Sequence, residues 1–131
     1  MDAERIMIVD DDRVFLDEIE EMLSLVGYDV IGVGDSARAV AEVNKIRPDL
    51  ILLDLRMKGK SGFEVARELK QSQLTANIPI VGMSGYFPID KEGALLDKSF
   101  MSASLKKPFA LADLISQLEN ILENRGEAHN A

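Results

Sequence analysis

Cysteine is absent from this sequence, which excludes a disulfide framework, a thiolate zinc site, an iron–sulfur cluster and a thiol nucleophile together. Tryptophan is also absent and aromatics make up only 5% of the chain, so the core must be aliphatic. A single histidine, His129, near the end of the chain, leaves no histidine-based triad and no multi-histidine metal site. Long apolar runs are missing as well: the charged start is followed by only four apolar residues, 6–9, too few for a signal peptide or a membrane span. No membrane partner and a cytoplasmic location are therefore expected. Positive charge is in short supply, with 15 Lys and Arg against 23 Asp and Glu for a net charge of −8. That balance offers no general attraction to a phosphate backbone or an anionic lipid, and no direct nucleic-acid partner is expected. Any chemistry is left to carboxylates, hydroxyls, lysines and a hard metal.

What is present is the balance of a single globular domain, 131 residues with 47% hydrophobic and 29% charged. Short apolar runs alternate with amphipathic stretches. Residues 6–9 read as a buried strand that stops at Asp10, Asp11 and Asp12. Phe15, Leu16, Ile19, Met22, Leu23 and Val26 then recur at helical spacing, and Gly27 closes that helix. A second strand over residues 28–33 leads to a helix capped by Asp35 or Ser36, with Ala37, Val40, Ala41 and Val43 inward. Residues 50–53 form a third strand ending at Asp54, residues 59–62 a loop, and Phe63, Ala66 and Leu69 the buried side of a third helix. A fourth strand over 80–83 ends at Ser84. Residues 91–98 suit a short helix, residues 102–106 a fifth strand broken by Lys107-Pro108, and Leu111, Leu114, Ile115, Leu118, Ile121 and Leu122 a final helix before a polar, frayed tail. Five strands alternating with five helices imply an α/β fold, a doubly wound (βα)5 arrangement with a parallel sheet covered on both faces.

In such a sheet, functional groups gather beyond the carboxyl ends of the strands. Asp10 and Asp11, Asp54, Ser84 and Lys107 all fall there. A single aspartate after a strand is most often a helix cap or turn residue, and Asp12 fits that role. Three carboxylates brought to one rim are different, because two charges about 4 Å apart repel by roughly 4 kcal/mol at an effective dielectric of about 20. Such a cluster calls for a cation or for raised pKa values, and with no soft ligands Mg²⁺ retaining several waters is the expected occupant, with Mn²⁺ as a substitute. A carboxylate beside Mg²⁺ can also attack phosphorus, given donors for the phosphoryl oxygens. A hydroxyl at Ser84 and an ammonium at Lys107 would supply them.

Four segments in order, IMIVDDD, PDLILLDLRMKGKSG, IPIVGMSG and SLKKPF, resemble the receiver domain of two-component response regulators, in the manner of the chemotaxis-regulator-like single-domain receivers. The resemblance implies a flavodoxin-like five-stranded parallel sheet in the order 2-1-3-4-5, with the receiver over residues 1–124 and a short polar tail over 125–131. It implies that Asp54 is the phosphoacceptor, taking its phosphoryl group from a histidine kinase or a histidine phosphotransfer protein. Asp10, Asp11, Asp54 and the backbone carbonyl of Arg56 match the metal site, Asp11 as a direct ligand and Asp10 mainly through water. Counting back from Gly27 selects those two of the three consecutive acids. Ser84 and Lys107 match the switch hydroxyl and its lysine, Lys107-Pro108 matches a bond that is cis in the family, and Arg56 and Tyr86 stand where phosphoryl lifetime is modulated.

The sequence departs from the family at four places. Lys58 replaces a proline, which is expected to loosen the loop without touching the chemistry. Gly85 replaces an alanine, keeping access to the site open, and Ser104 replaces the aromatic switch residue. Arg56 and Tyr86 are this chain's own pair at the lifetime positions. The resulting expectation is a non-enzymatic, stand-alone phosphorylation switch that takes part in its own phosphorylation and dephosphorylation and binds an output protein through the fourth helix, fifth strand and fifth helix. The alternatives are a receiver excised from a longer response regulator or hybrid kinase, and a phosphorelay shuttle. A Mg-dependent aspartyl phosphatase fits less well, since Arg56 sits where a second acid would follow Asp54. A flavin carrier is disfavoured by the acidic first loop.

Overall fold

The structure is a computed structural model and describes residues 3–85 and 101–130, the side chains of 126–130 apart. The expected short helix over 91–98 and Tyr86 lie outside the described residues. Five strands form one parallel sheet: β1 (Arg5–Val9), β2 (Asp29–Val33), β3 (Leu50–Asp54), β4 (Ile80–Ser84) and β5 (Ala103–Lys106), in the order β2-β1-β3-β4-β5. Between and after them lie α1 (Arg13–Val26), α2 (Ser36–Ile46), α3 (Gly62–Gln71) and a final helix, α4 (Leu111–Asn130). The strand order expected from the resemblance is the one observed.

The central strands β1, β3 and β4 are mostly apolar because both faces of the sheet are covered. From β1, β3 and β4, Ile6, Ile8, Leu50, Leu52, Val81 and Met83 pack with Leu16, Ile19 and Leu23 of α1 and Leu114, Leu118 and Leu122 of α4. Their alternate neighbours Met7, Val9, Ile51, Leu53 and Ile80 face the other way, against Ala39 and Val43 of α2 and Val65, Ala66 and Leu69 of α3. Each fully buried aliphatic side chain contributes about 1.5–3 kcal/mol, and the two-sided core makes the sheet a rigid base for its rim.

Local signals set the helix ends. Asp12 caps α1 by accepting from the Phe15 N–H, Asp35 caps α2 through Ala37, and Ser61 caps α3 through Glu64. Gly27 ends α1 at φ 117°, in the left-handed region that favours glycine.

Three details differ from the sequence reading. In α1, Met22 and Val26 are exposed and only Leu16, Ile19 and Leu23 are buried. In α2 the buried side chains are Ser36, Ala39 and Val43, whereas Ala37 and Ala41 point outward; three alanines give little hydrophobic contrast with which to choose a face. The last helix extends to Asn130, through the stretch read as a polar tail from 125, and Arg125 donates to the Asp49 carbonyl, just before β3, at 2.8 Å.

Candidate functional site

Register alone assembles the rim. β1 and β3 are aligned with Val9 beside Leu53, so the next residues, Asp10 and Asp54, emerge side by side. β3 and β4 place Asp54 beside Met83, and β4 and β5 place Ser84 beside Lys106. Ser84 and Lys107 therefore follow on the same edge, joined by the Lys107 N–H donating to the Ser84 carbonyl at 2.6 Å. One carboxylate oxygen from each of Asp10, Asp11 and Asp54 lies within 4.8 Å of the others.

Asp10 is completely buried. Its Oδ1 accepts from the Asp12 N–H at 2.9 Å and its Oδ2 from Lys107 Nζ at 2.5 Å. Asp54 is 6% exposed; its Oδ1 accepts from the Arg56 N–H at 3.1 Å, and its Oδ2 is 3.9 Å from Lys107 Nζ. Burial and the Asp10 charge push the Asp54 carboxyl up from 3.8 to about 6, against the downward pull of the Arg56 N–H and the Lys107 ammonium. Asp11 is exposed, and its Oδ2 accepts from the Lys58 backbone N–H at 3.0 Å. Ser84 is buried at the end of β4. The Lys107-Pro108 bond is cis.

The donor set is all oxygen and carries formal charge −3 against one ammonium. That chemistry suits a hard divalent cation and not a soft one. Beside Asp11 an open pocket of about 600 Å³ is lined by Leu55, Arg56, Met57, Lys58, Ser61 and Phe63 as well. The floor is tight: a Cβ on Gly62 would stand 2.2 Å from the Asp54 carbonyl oxygen, so the loop after β3 folds directly onto the strand end only because residue 62 is glycine. At Gly85, by contrast, a Cβ would meet Lys107 Cβ at an ordinary 3.7 Å.

Residues 6–119 match the family model of the response regulator receiver domain. The chain belongs to this family. As a receiver domain it takes its place in two-component signalling, in which receivers are served by histidine kinases. It is 32% identical over 126 residues to the phosphate regulon transcriptional regulatory protein PhoB of Pseudomonas aeruginosa, covering 96% of this chain and 55% of the relative. It is 31% identical over 118 residues to the DNA-binding dual master transcriptional regulator RpaA of Synechocystis, covering 90% and 48%. The chain thus spans about half the length of these curated relatives. Among solved structures, the receiver domain of a sensor histidine kinase from Pseudomonas aeruginosa PAO1, with a magnesium ion coordinated in its active-site cleft, superposes with a TM-score of 0.84. It is 30% identical, covering 92% of this chain and 98% of that one. Among the described residues, no helix of the receiver is long and apolar enough to cross a membrane.

Two contributors to the receiver's rim were not foreseen as such. Phe15, read as a core residue of α1, lies under the Lys107 ammonium, 3.9 Å from ring centroid to Nζ, and packs edge-on against Phe109 at 5.9 Å. Its position just inside α1, next to the acidic loop, was the available signal. Lys58 touches the site through its backbone, which no side-chain pattern reveals. Ser104, in the place of the aromatic switch residue, is exposed on β5.

Proposed function

We propose that this receiver is a Mg²⁺-dependent phosphoacceptor in which Asp54 takes a phosphoryl group from a histidine kinase or histidine phosphotransfer protein and thereby changes affinity for an output partner. The observation that carries the reading is the meeting of Asp10, Asp11 and Asp54 within 4.8 Å, with Lys107 inserted among them. Asp11 and Asp54, with the Arg56 carbonyl and Asp10 through water, would hold Mg²⁺, or Mn²⁺ in its place. The ion supplies charge neutralisation for the carboxylates and the incoming phosphoryl oxygens. The relative bearing magnesium in its cleft supports this assignment.

Asp54, raised to about 6, is ionised at neutral pH and so available as a nucleophile. One of its oxygens attacks the phosphorus of a phosphohistidine; the P–O bond forms as the P–N bond breaks, and the imidazole leaves neutral after gaining a proton from water. Lys107 stands between Asp10 and Asp54 and can exchange its bond to Asp10 for one to a phosphoryl oxygen. Ser84 is the second donor, at the end of the neighbouring strand. On the family resemblance, Arg56 and Tyr86 are assigned the positions that set the lifetime of the acyl phosphate. The chain is a switch and not a turnover enzyme, in the cytoplasm, with its output face on the last strand and helix and the segment preceding them.

Relatives that carry transcriptional or DNA-binding names are about twice as long as the match. With a net charge of −8, the receiver itself is assigned no nucleic-acid contact; DNA binding under its control belongs to a different module. Those lengths favour, as a second reading, a receiver that works as part of a longer response regulator or hybrid kinase. The full reading frame separates this from the stand-alone form. The function itself is tested with a small phosphodonor such as acetyl phosphate. One phosphoryl group should be incorporated with Mg²⁺ and none after chelation or in Asp54→Asn, and equal labelling of the two proteins would exclude Asp54.

A further inference from the structure

The departure at position 58 reaches the metal site. Lys58 donates its backbone N–H to Asp11 Oδ2 at 3.0 Å, and its carbonyl accepts from Ser36 Oγ at 3.2 Å. Both polar groups of one residue are thus engaged. They tie the loop after β3 to the acidic loop after β1 on one side and to the first turn of α2 on the other. Ser36 is buried at 3% exposure, so its hydroxyl is fixed by packing, whereas Asp11 is exposed and has no packing of its own to choose a rotamer. Order is therefore handed from Ser36 through the Lys58 peptide to Asp11.

A proline in this place, as the family resemblance leads one to expect, has no N–H to give. The bond to Asp11 exists because the residue is something other than proline. The lysine ammonium plays no part in it. A hydrogen bond to a carboxylate is charge-assisted and stronger than a neutral one. It uses one lone pair of Oδ2 and leaves Oδ1 for a cation, since an ionised carboxylate has about four acceptor sites. Partners that orient a ligating carboxylate in this way carry a large share of metal affinity.

We infer that Lys58 is a positioning residue of the metal site: its backbone N–H, steadied by the Ser36 hydroxyl, holds the Asp11 carboxylate beside Asp10 and Asp54 and raises the affinity of the cluster for a divalent cation. The inference rests on the reading of that cluster as a Mg²⁺ site.

The test is Mg²⁺ binding to the unphosphorylated protein, followed by titration calorimetry at constant ionic strength. Lys58→Pro removes the N–H, and its dissociation constant should rise about tenfold. Lys58→Ala keeps the N–H and should bind as wild type does. Ser36→Ala should weaken binding a few-fold, and Ser36→Thr, which retains a hydroxyl, should recover it. In ¹⁵N-labelled protein the Lys58 amide proton should lie downfield and move upfield on replacing Asp11 by Ala, which removes its acceptor, and an unmoved resonance would show that the bond to Asp11 is not formed. Equal affinities for Lys58→Pro and Lys58→Ala overturn the proposal while leaving the Mg²⁺ site standing. Tighter binding by Lys58→Pro also overturns it, showing that the N–H competes with the cation. A wild-type protein that takes up no Mg²⁺ overturns both this inference and the reading beneath it.

Discussion

Replacing Asp54 by asparagine should make the fold more stable, and by an amount that depends on pH. The carboxyl is 6% exposed, lies beside the buried Asp10 and is raised from 3.8 to about 6. An acid whose folded-state value lies above its unfolded one binds its proton more tightly in the native state, so its contribution is present below about 3.8 and is lost as pH rises through about 6. At about 1.4 kcal/mol per pH unit, ionisation costs the native state up to about 3 kcal/mol. The Asp54→Asn amide is nearly isosteric and carries no charge to desolvate. Urea denaturation of both proteins in chelated buffer from pH 4 to 8 isolates the effect, because every other titrating group is shared. The two should coincide near pH 4 and diverge through pH 5–6, with Asp54→Asn ahead by about 1–3 kcal/mol at pH 7.5. Saturating Mg²⁺ should close much of that gap, since binding at ten times the dissociation constant stabilises wild type by about 1.4 kcal/mol. A pH-independent difference, or a less stable Asp54→Asn, would refute the view that the site is strained by its own charge.

Three further substitutions probe the frame around the site. Gly62→Ala places a methyl 2.2 Å from the Asp54 carbonyl oxygen and should cost at least about 2 kcal/mol in urea denaturation, whereas Gly85→Ala should stay within about 0.5 kcal/mol. Phe15→Leu removes the ring beneath Lys107 and should lower thermal stability by about 1 kcal/mol, with a smaller loss when Lys107 is already methionine. Arg125→Ala cuts the tie to Asp49 and should cost about 1 kcal/mol; hydrogen exchange should show fraying spread into the last turns of α4, beyond Leu122.

The sheet was legible because β1, β3 and β4 carry uninterrupted apolar runs, each stopped by a polar residue, and because α1 and α4 carry strong leucine and isoleucine stripes. Asp10, Asp54, Ser84 and Lys107 were legible for the same reason: strand ends are visible in sequence, and register carries them to one edge. The inward side of α2 was not, since Ala37, Ala39 and Ala41 differ too little from one another for periodicity to choose. Nor could the tie at Arg125 be read, because its partner Asp49 stands 76 residues away in the sequence. The contribution of Lys58 depends on a backbone N–H that nearly every residue possesses. Only proline's lack of one marks the position; from sequence the change is expected to leave the chemistry untouched, and the bond to Asp11 is the observation that makes this worth testing. Lys70 is a similar case: a lysine on a helix face reads as solvated, yet its ammonium donates to the Ala76 and Ile78 carbonyls and shapes the turn into β4.

The most direct test of the phosphoacceptor assignment is to locate the phosphoryl group. The protein is treated with a phosphodonor and Mg²⁺, the acyl phosphate is reduced with borohydride, which leaves homoserine in place of the modified aspartate, and the peptides are mapped. Homoserine at position 54, absent when Mg²⁺ is chelated, is the predicted result. Homoserine at position 10 or 11, or none anywhere under conditions that label an active receiver, would contradict the account.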